Sequence, residues 1–368
     1  MKRLAIIGAN DFQNQLILKA KARGIETHVF AWECGDVGEK TADYFYPISI
    51  VEKEQILEKC REIGIDGIIS IASDLASVTV NYVAEQLGLT CNGIESSIIS
   101  TNKYLMRKTF EKNGDPSPKN YRSDEINEEV IERLSFPVIV KPVDRSGSRG
   151  ITKVLAKEDL MTAIQIAEEL SFDKKAMVEE FVEGNEYSVE YISYRGEHHF
   201  LAVTKKFTTG APNFIETGHI QPSGLSEEMV KNVQGVVEHA LDSLMIKNGA
   251  SHSELKIDDN GNIVLIEIGG RMGGDCIGSD LVQISTGYDF VNMVIDVALG
   301  EEPSFELTME PAVAQIKFIF DKEDLKELEK VKVEKADNIY RISEIGPIDD
   351  SHEVVDSSTR YGYYILRG

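Results

Sequence analysis

Two carboxylates and one arginine fall within a short stretch of this chain that has the pattern of a metal–phosphate site. Glu254-Leu-Lys-Ile-Asp258, the polar turn Asp259-Asn260-Gly261 and Asn262-Ile-Val-Leu-Ile-Glu267 read as two antiparallel strands joined by a tight turn. Each strand carries a carboxylate, Glu254 on one and Glu267 on the other. Neighbouring carboxylates suit a hard cation such as Mg²⁺, which takes oxygen ligands and keeps phosphate and water in its remaining positions. Arg271 follows in the glycine-rich segment Gly269-Gly-Arg-Met-Gly-Gly274, placed to grip a charged oxygen in two places. The same acids would also suit an ordinary solvated hairpin.

A second signal is Lys141, inside the apolar strand Phe136–Val143. A lysine there needs a partner, because its charge is seldom buried alone. The loop that follows, Asp144-Arg-Ser-Gly-Ser-Arg-Gly150, is small, polar and glycine-flexible, and leads into a further strand at Ile151–Leu155. Strand, loop, strand is not the strand–loop–helix of a P-loop, and no G-x-x-x-x-G-K-[ST] occurs. Backbone amides of a flexible hairpin are then the expected phosphate cradle.

The elements that must position these groups change character along the chain. Up to about residue 95, strands and helices alternate: Leu4–Ile7, Gln13–Arg23, Glu26–Trp32, Lys53–Ile63, Asp66–Ile71, Ala76–Leu87 and a last strand at Leu89–Asn92. That rhythm predicts a small parallel sheet flanked by helices. The first turn, Gly8-Ala-Asn-Asp-Phe-Gln13, keeps only the first glycine of G-x-G-x-x-G, which argues against a dinucleotide there. A helix at Asn102–Asn113 follows. Beyond it the pattern turns to antiparallel strands, including Ala176–Val182, Glu186–Ser193 and His198–Phe207, with helices at Lys157–Leu170, Ser226–Leu244 and Asp289–Leu299. The tail predicts a strand at Ala312–Phe320 and a helix at Asp321–Lys330.

Composition narrows the class. A chain of 368 residues with 42% hydrophobic and 27% charged content is an ordinary globular protein of two or three packing units. No apolar run approaches the roughly 20 residues that span a bilayer, so no membrane segment is expected. The net charge of −23, from 62 acids against 39 bases, repels nucleic acid and anionic membranes at long range. Cys34, Cys60, Cys91 and Cys276 form no CxxC pair, which fits a reducing, cytoplasmic setting and no zinc knuckle.

Taken in order, Lys103, Lys141, the loop 144–150, Glu179-Glu-Phe-Val-Glu-Gly-Asn-Glu186, Glu254 and Glu267-x-x-x-Arg271 resemble the ATP-grasp superfamily, in the style of its carboxylate–amine ligases. The resemblance implies an α/β chain with an α+β catalytic part. A Rossmann-like pre-ATP-grasp domain (1–100) precedes an ATP-grasp domain with antiparallel sheets (101–300, its lid-bearing part about 115–185). A small C-terminal subdomain (301–368) closes the chain. It implies ATP with Mg²⁺, or Mn²⁺ in its place.

The resemblance also assigns roles. Lys103 and Lys141 contact phosphates, and Ser146, Gly147 and Ser148 form the lid loop. Glu179 accepts from the adenine amino group beside the backbone of Glu180 and Val182, and Glu186 accepts from the ribose hydroxyls. Glu254 and Glu267 hold the metal, and Arg271 steadies the transferring phosphoryl group. Many members carry asparagine two residues past the second metal glutamate, where this chain has Gly269. The implied reaction joins a small-molecule carboxylate, such as an amino acid, to an amine through an acyl phosphate. A carboxyphosphate-forming enzyme of the biotin carboxylase or carbamoyl phosphate synthase kind is the alternative, and a non-catalytic nucleotide-binding module a further one. The substrates stay unspecified, as do the oligomeric state, a homodimer included, and the roles of His219 and His252.

Overall fold

A computed structural model describes residues 1–145, 147, 149–211, 214–349 and 359–368. The first strands are β1 (Arg3–Ile7), β2 (Glu26–Phe30), β3 (Tyr44–Tyr46) and β4 (Gly67–Ile69), which form a parallel sheet in the order β3-β2-β1-β4. Leu4, Ile6 and Ile7 are fully buried between flanking helices, as expected of a parallel strand covered on both faces. At the first turn Gln13 folds back over Gly8. Its side-chain amide donates to the Ile71 carbonyl (2.5 Å) and accepts from the Ile71 amide (3.1 Å). A side chain therefore fills the space a pyrophosphate would use in a dinucleotide fold.

The structure corrects one reading of this region and adds one strand. Residues 89–92 form no strand. Asn92 instead accepts from the Lys247 and Asn248 amides (2.8 and 2.7 Å) and donates to the Asn248 carbonyl (2.9 Å), stitching this half to the next instead of extending the sheet. The short strand β3 carried no separate signal, because its three residues follow a helix of only five, Val37–Thr41.

A four-stranded sheet follows: β5 (Asn120–Arg122), β6 (Val138–Pro142), β7 (Thr152–Val154) and β8 (Ala176–Glu180), in the order β5-β8-β6-β7 with antiparallel pairings. The helix Leu160–Leu170 packs on it through Leu160, Ala163, Ile164 and Ala167, its four buried positions. Their spacing is one face of a 3.6-residue period.

The third sheet has eight strands: β9 (Asn185–Tyr194), β10 (Glu197–Thr208), β11 (Glu216–Gln221), β12 (Gly249–Ile257), β13 (Ile263–Gly269), β14 (Ala314–Ile319), β15 (Ile339–Ile342) and β16 (Gly362–Arg367). Their order is β13-β12-β9-β10-β11-β14-β16-β15, so the tail strands extend the same sheet. Period-two alternation sorts its residues. Tyr187, Val189, Tyr191, Leu255, Ile257 and Leu265 are buried with Met106 and Phe110 of the helix Lys103–Asn113 and Val233, Val237 and Leu241 of the helix Glu227–Ser243. Each such side chain contributes on the order of 1.5–3 kcal/mol. The residues between them on β9 and β12, Glu186, Glu190, His252, Glu254 and Lys256, are ionisable or charged.

Candidate functional site

Strand register explains why those side chains meet. Glu254 of β12 stands directly across from Glu267 of β13, His252 across from Glu190 of β9, and Lys256 across from Glu186 of β9. Directly opposed residues share a face, so register alone builds a block of carboxylates and cations. The two carboxylates expected to hold metal are cross-strand partners.

Each carboxylate already has a lysine. Lys103 Nζ lies 2.7 Å from Glu267, and Lys206 Nζ lies 2.6 Å from Glu254 and 3.4 Å from Glu216. Lys103 reaches the sheet because Asn102 caps its helix, accepting from the Leu105 amide, while the Lys103 amide donates to the Val143 carbonyl (2.7 Å). One turn on, Arg107 is fully buried and donates to Glu179 (3.1 Å) and to the Ile266 carbonyl (2.5 Å). Lys141 of β6 pairs with the other oxygen of Glu179, which satisfies the lysine singled out in the sequence.

These pairings set the charge balance. Burial would push the Glu179 carboxyl up, but Lys141 and Arg107 override it and hold its pKa below the ordinary value. Burial, with repulsion from Arg107 and Lys103, draws the Lys141 pKa down against the pull of Glu179. Two cations thus converge on one buried glutamate, with Lys103 near enough to repel Lys141, a surplus that an added anion would relieve. Burial works against the Lys206 charge too, but Glu254, Glu216 and Glu186 more than offset it and push its pKa up. His252 donates through Nδ1 to a Glu190 carboxylate oxygen and lies 3.4 Å from Glu254 through Nε2. Burial lowers its pKa, but the Glu190 charge outweighs that and raises it to about 9.

Two adjoining cavities share this block. One is lined by Ile139, Ile151, Phe181, Phe214 and Ile266, with Glu179, Glu180, Val182, Glu186 and Lys256 at its polar margin. The other is lined by Asp74, Arg145, Gly147, Arg149, His252, Gly269 and Arg271. Lys103, Lys141, Glu216, Glu254 and Glu267 line both. A cavity with a partly apolar lining therefore adjoins a chamber rich in cations and carboxylates.

Among the residues singled out in the sequence, Lys103, Lys141, Gly147, Glu179, Glu180, Val182, Glu186, Glu254, Glu267 and Arg271 all line these cavities. Ser146 and Ser148 lie outside the described residues. Glu179 is 3% exposed and held by two cations, so its carboxylate is chiefly the counter-ion of Lys141 and Arg107. His219 lines neither cavity. It is fully buried, lies 3.5 Å from Asp275 and meets the Phe318 ring edge-on. Asp275 is also gripped by Arg360 (2.7 Å), which reaches Glu216 as well (3.1 Å).

Sequence reasoning missed Asp74, Arg107, Glu190, Lys206 and Arg360. Lys206 and Glu190 carried the same signal as Lys141, an ionisable residue among apolar strand positions. Asp74 and Arg360 come from elements remote in sequence and gave none.

A family model for the ATP-grasp domain matches residues 134–280, the stretch that supplies β6 to β13 and Arg271. Residues 134–280 therefore match an ATP-grasp domain. It is 27% identical over 297 residues to the alanine–anticapsin ligase of Bacillus subtilis (strain 168), covering 71% of this chain and 62% of that protein. It is 28% identical over 274 residues to the D-alanine–D-alanine ligase of Mannheimia succiniciproducens, covering 68% of this chain and 83% of that protein. The chain spans less than two thirds of the length of the alanine–anticapsin ligases it matches. In fold it is similar to the L-amino acid ligase of Bacillus licheniformis, with a TM-score of 0.82 at 24% identity over 100% of this chain and 93% of that one. Among the described residues no helix is long and apolar enough to cross a membrane.

Proposed function

We propose that this chain is an ATP-dependent ligase of the ATP-grasp kind that joins a small carboxylic acid to an amine. The observation that carries the reading is the pair of cavities sharing Lys103, Lys141, Glu254 and Glu267. A partly apolar slot with backbone groups at its edge suits a purine. The adjoining cations suit a triphosphate, and the space toward Arg271 suits the acceptor. The curated relatives named above are amino-acid ligases, which supports an amino acid as the carboxylate.

In this reading Ile139, Ile151, Phe181, Phe214 and Ile266 clamp the base, and Glu186 accepts from the ribose. Lys103 and Lys141 neutralise phosphate oxygens, which draws Lys103 from Glu267. The facing carboxylates Glu254 and Glu267 offer hard oxygen donors that would hold Mg²⁺. When bound, that ion would supply charge neutralisation along the phosphate chain. The substrate carboxylate oxygen bonds to the γ-phosphorus as the bridging oxygen leaves with ADP. The amine nitrogen then bonds to the acyl carbon of the resulting acyl phosphate, and phosphate leaves. Arg271 holds the transferring group by charge, and the loop 144–150 excludes water that would hydrolyse the intermediate.

The test is ADP release across a panel of amino acids and other carboxylic acids crossed with amines, with a bicarbonate arm. Release that needs both a carboxylic acid and an amine is the expected result. Release that needs bicarbonate, or none with any pair, would contradict it.

A further inference from the structure

Arg271 is held from the far side of the chamber by a residue of the N-terminal parallel-sheet region. Ser73 caps the helix Asp74–Leu87 by accepting from the Ala76 amide, which puts Asp74 at its first residue, at the chamber wall. Asp74 takes Arg271 in a fork: Oδ1 accepts from Nε at 2.7 Å and Oδ2 from Nη2 at 3.0 Å. The side chains are 18% and 15% exposed, so little solvent screens the pair. A guanidinium has five N–H groups in a rigid plane. Asp74 uses one edge, and the Met272 carbonyl accepts from Nη1 at 3.3 Å. One N–H on each of Nη1 and Nη2 is left, along the edge away from Asp74.

A second observation comes from Gly269. Its φ is not positive, so backbone conformation does not require glycine there. A Cβ at this position would lie 3.0 Å from Asp74 Oδ1 and 3.1 Å from Arg271 Nε. A larger side chain would have to enter the space where the carboxylate meets the guanidinium. The glycine is thus what lets Asp74 reach Arg271 across β13.

We infer that Asp74 is a positioning residue that fixes the Arg271 plane, so that its remaining edge faces the transferring phosphoryl group, and that Gly269 keeps the space this pair needs. The inference rests on the ligase reading. It adds a role for the N-terminal region, which through Asp74 completes a site otherwise built on two antiparallel sheets. A guanidinium freed from its fork would keep its charge and lose its aim, and misplacement of about 1 Å costs on the order of 100-fold in rate.

The test has two arms. In the kinetic arm Asp74→Asn should lower kcat about 100-fold with KM for ATP nearly unchanged, and Asp74→Glu should recover part of the loss. Gly269→Asn should fall as far as Asp74→Asn, and the double variant should fall no further. In the second arm, unfolding midpoints of Asp74→Asn, Arg271→Gln and their combination report the pair without any substrate, and their effects should be strongly non-additive. A kcat for Asp74→Asn within twofold of wild type, full activity of Gly269→Asn, or additive midpoint shifts would each overturn the inference. A wild-type protein that turns over no acid–amine pair would instead refute the ligase reading, and the unfolding cycle would still judge the Asp74–Arg271 pair.

Discussion

Lys103 Nζ lies 2.7 Å from Glu267 Oε1, which joins a lysine expected to bind phosphate to a carboxylate expected to bind metal. A cation approaching Glu267 by itself meets this ammonium, and at Glu254 it meets Lys206 at 2.6 Å. Phosphate oxygens would give Lys103 another partner and so free Glu267 for the ion. Metal and nucleotide should therefore bind cooperatively, each increasing affinity for the other by the same factor. Titration calorimetry should give a Kd for Mg²⁺ at least ~10-fold lower with a non-hydrolysable ATP analogue present, a coupling of about 1.4 kcal/mol. Equal affinities would break the link.

Replacing Glu267 by Gln removes the charge and keeps the shape. Turnover should fall at least ~100-fold, since a metal ligand matters no less than the groups that orient one. The unfolding midpoint should fall less than in Glu179→Ala, because Glu267 is partly exposed and a glutamine oxygen can still accept from Lys103. Near wild-type ADP formation by this variant would remove Glu267 from metal binding.

Glu179 answers a different question. It is buried between Lys141 and Arg107, and Glu179→Ala would leave two buried cations without their counter-ion. Breaking such a pair costs about 3–5 kcal/mol, a large part of a domain's stability. Denaturant unfolding should register that loss without any nucleotide. A change below about 1 kcal/mol would mean that the cations find other partners.

Cys276 sits next to Asp275 but is no nucleophile. It is 3% exposed, and burial pushes its thiol up to about 12, where almost no thiolate forms at neutral pH. Cys276→Ser should retain turnover within about threefold, since the contacts at its sulfur, from Arg341 and Tyr363, can pass to a hydroxyl oxygen. In the folded protein at pH 8, iodoacetamide should label the exposed Cys34 well before Cys276. Loss of turnover matched by selective labelling of Cys276 would reverse this.

Base selection follows from the slot. Its apolar lining would suit either purine, whereas the backbone groups of Glu180 and Val182 would offer a directional edge. With Mg²⁺, ATP should raise Tm by several degrees more than GTP, whose carbonyl stands where adenine donates. Comparable shifts with both nucleotides would show that this edge does not read the base.

How far the site could be read from sequence depended on range. Glu254 and Glu267 were legible because a short polar turn fixes the register of their hairpin and so their shared face. Lys141 was legible because a charge interrupts an apolar strand, and the structure supplies Glu179 as the reason. Arg107 was not, because one arginine in an amphipathic helix looks solvated until Glu179 and Ile266 close over it. Asp74 lies 197 residues from Arg271, and no local period couples them. Leu89–Asn92 read as a strand from its position in the βαβ rhythm, yet the side chain of Asn92 and residues 247–248 took its hydrogen bonds. Local pattern places groups on a face. Which faces meet is decided by packing between distant segments.

In the proposed reaction a carboxylate is activated by phosphoryl transfer from ATP. The most direct measurement follows ¹⁸O from a labelled substrate carboxylate during turnover with an amine. ADP and phosphate should appear in equal amounts, with one ¹⁸O carried into the phosphate. AMP and pyrophosphate as products, or phosphate free of label, would contradict it.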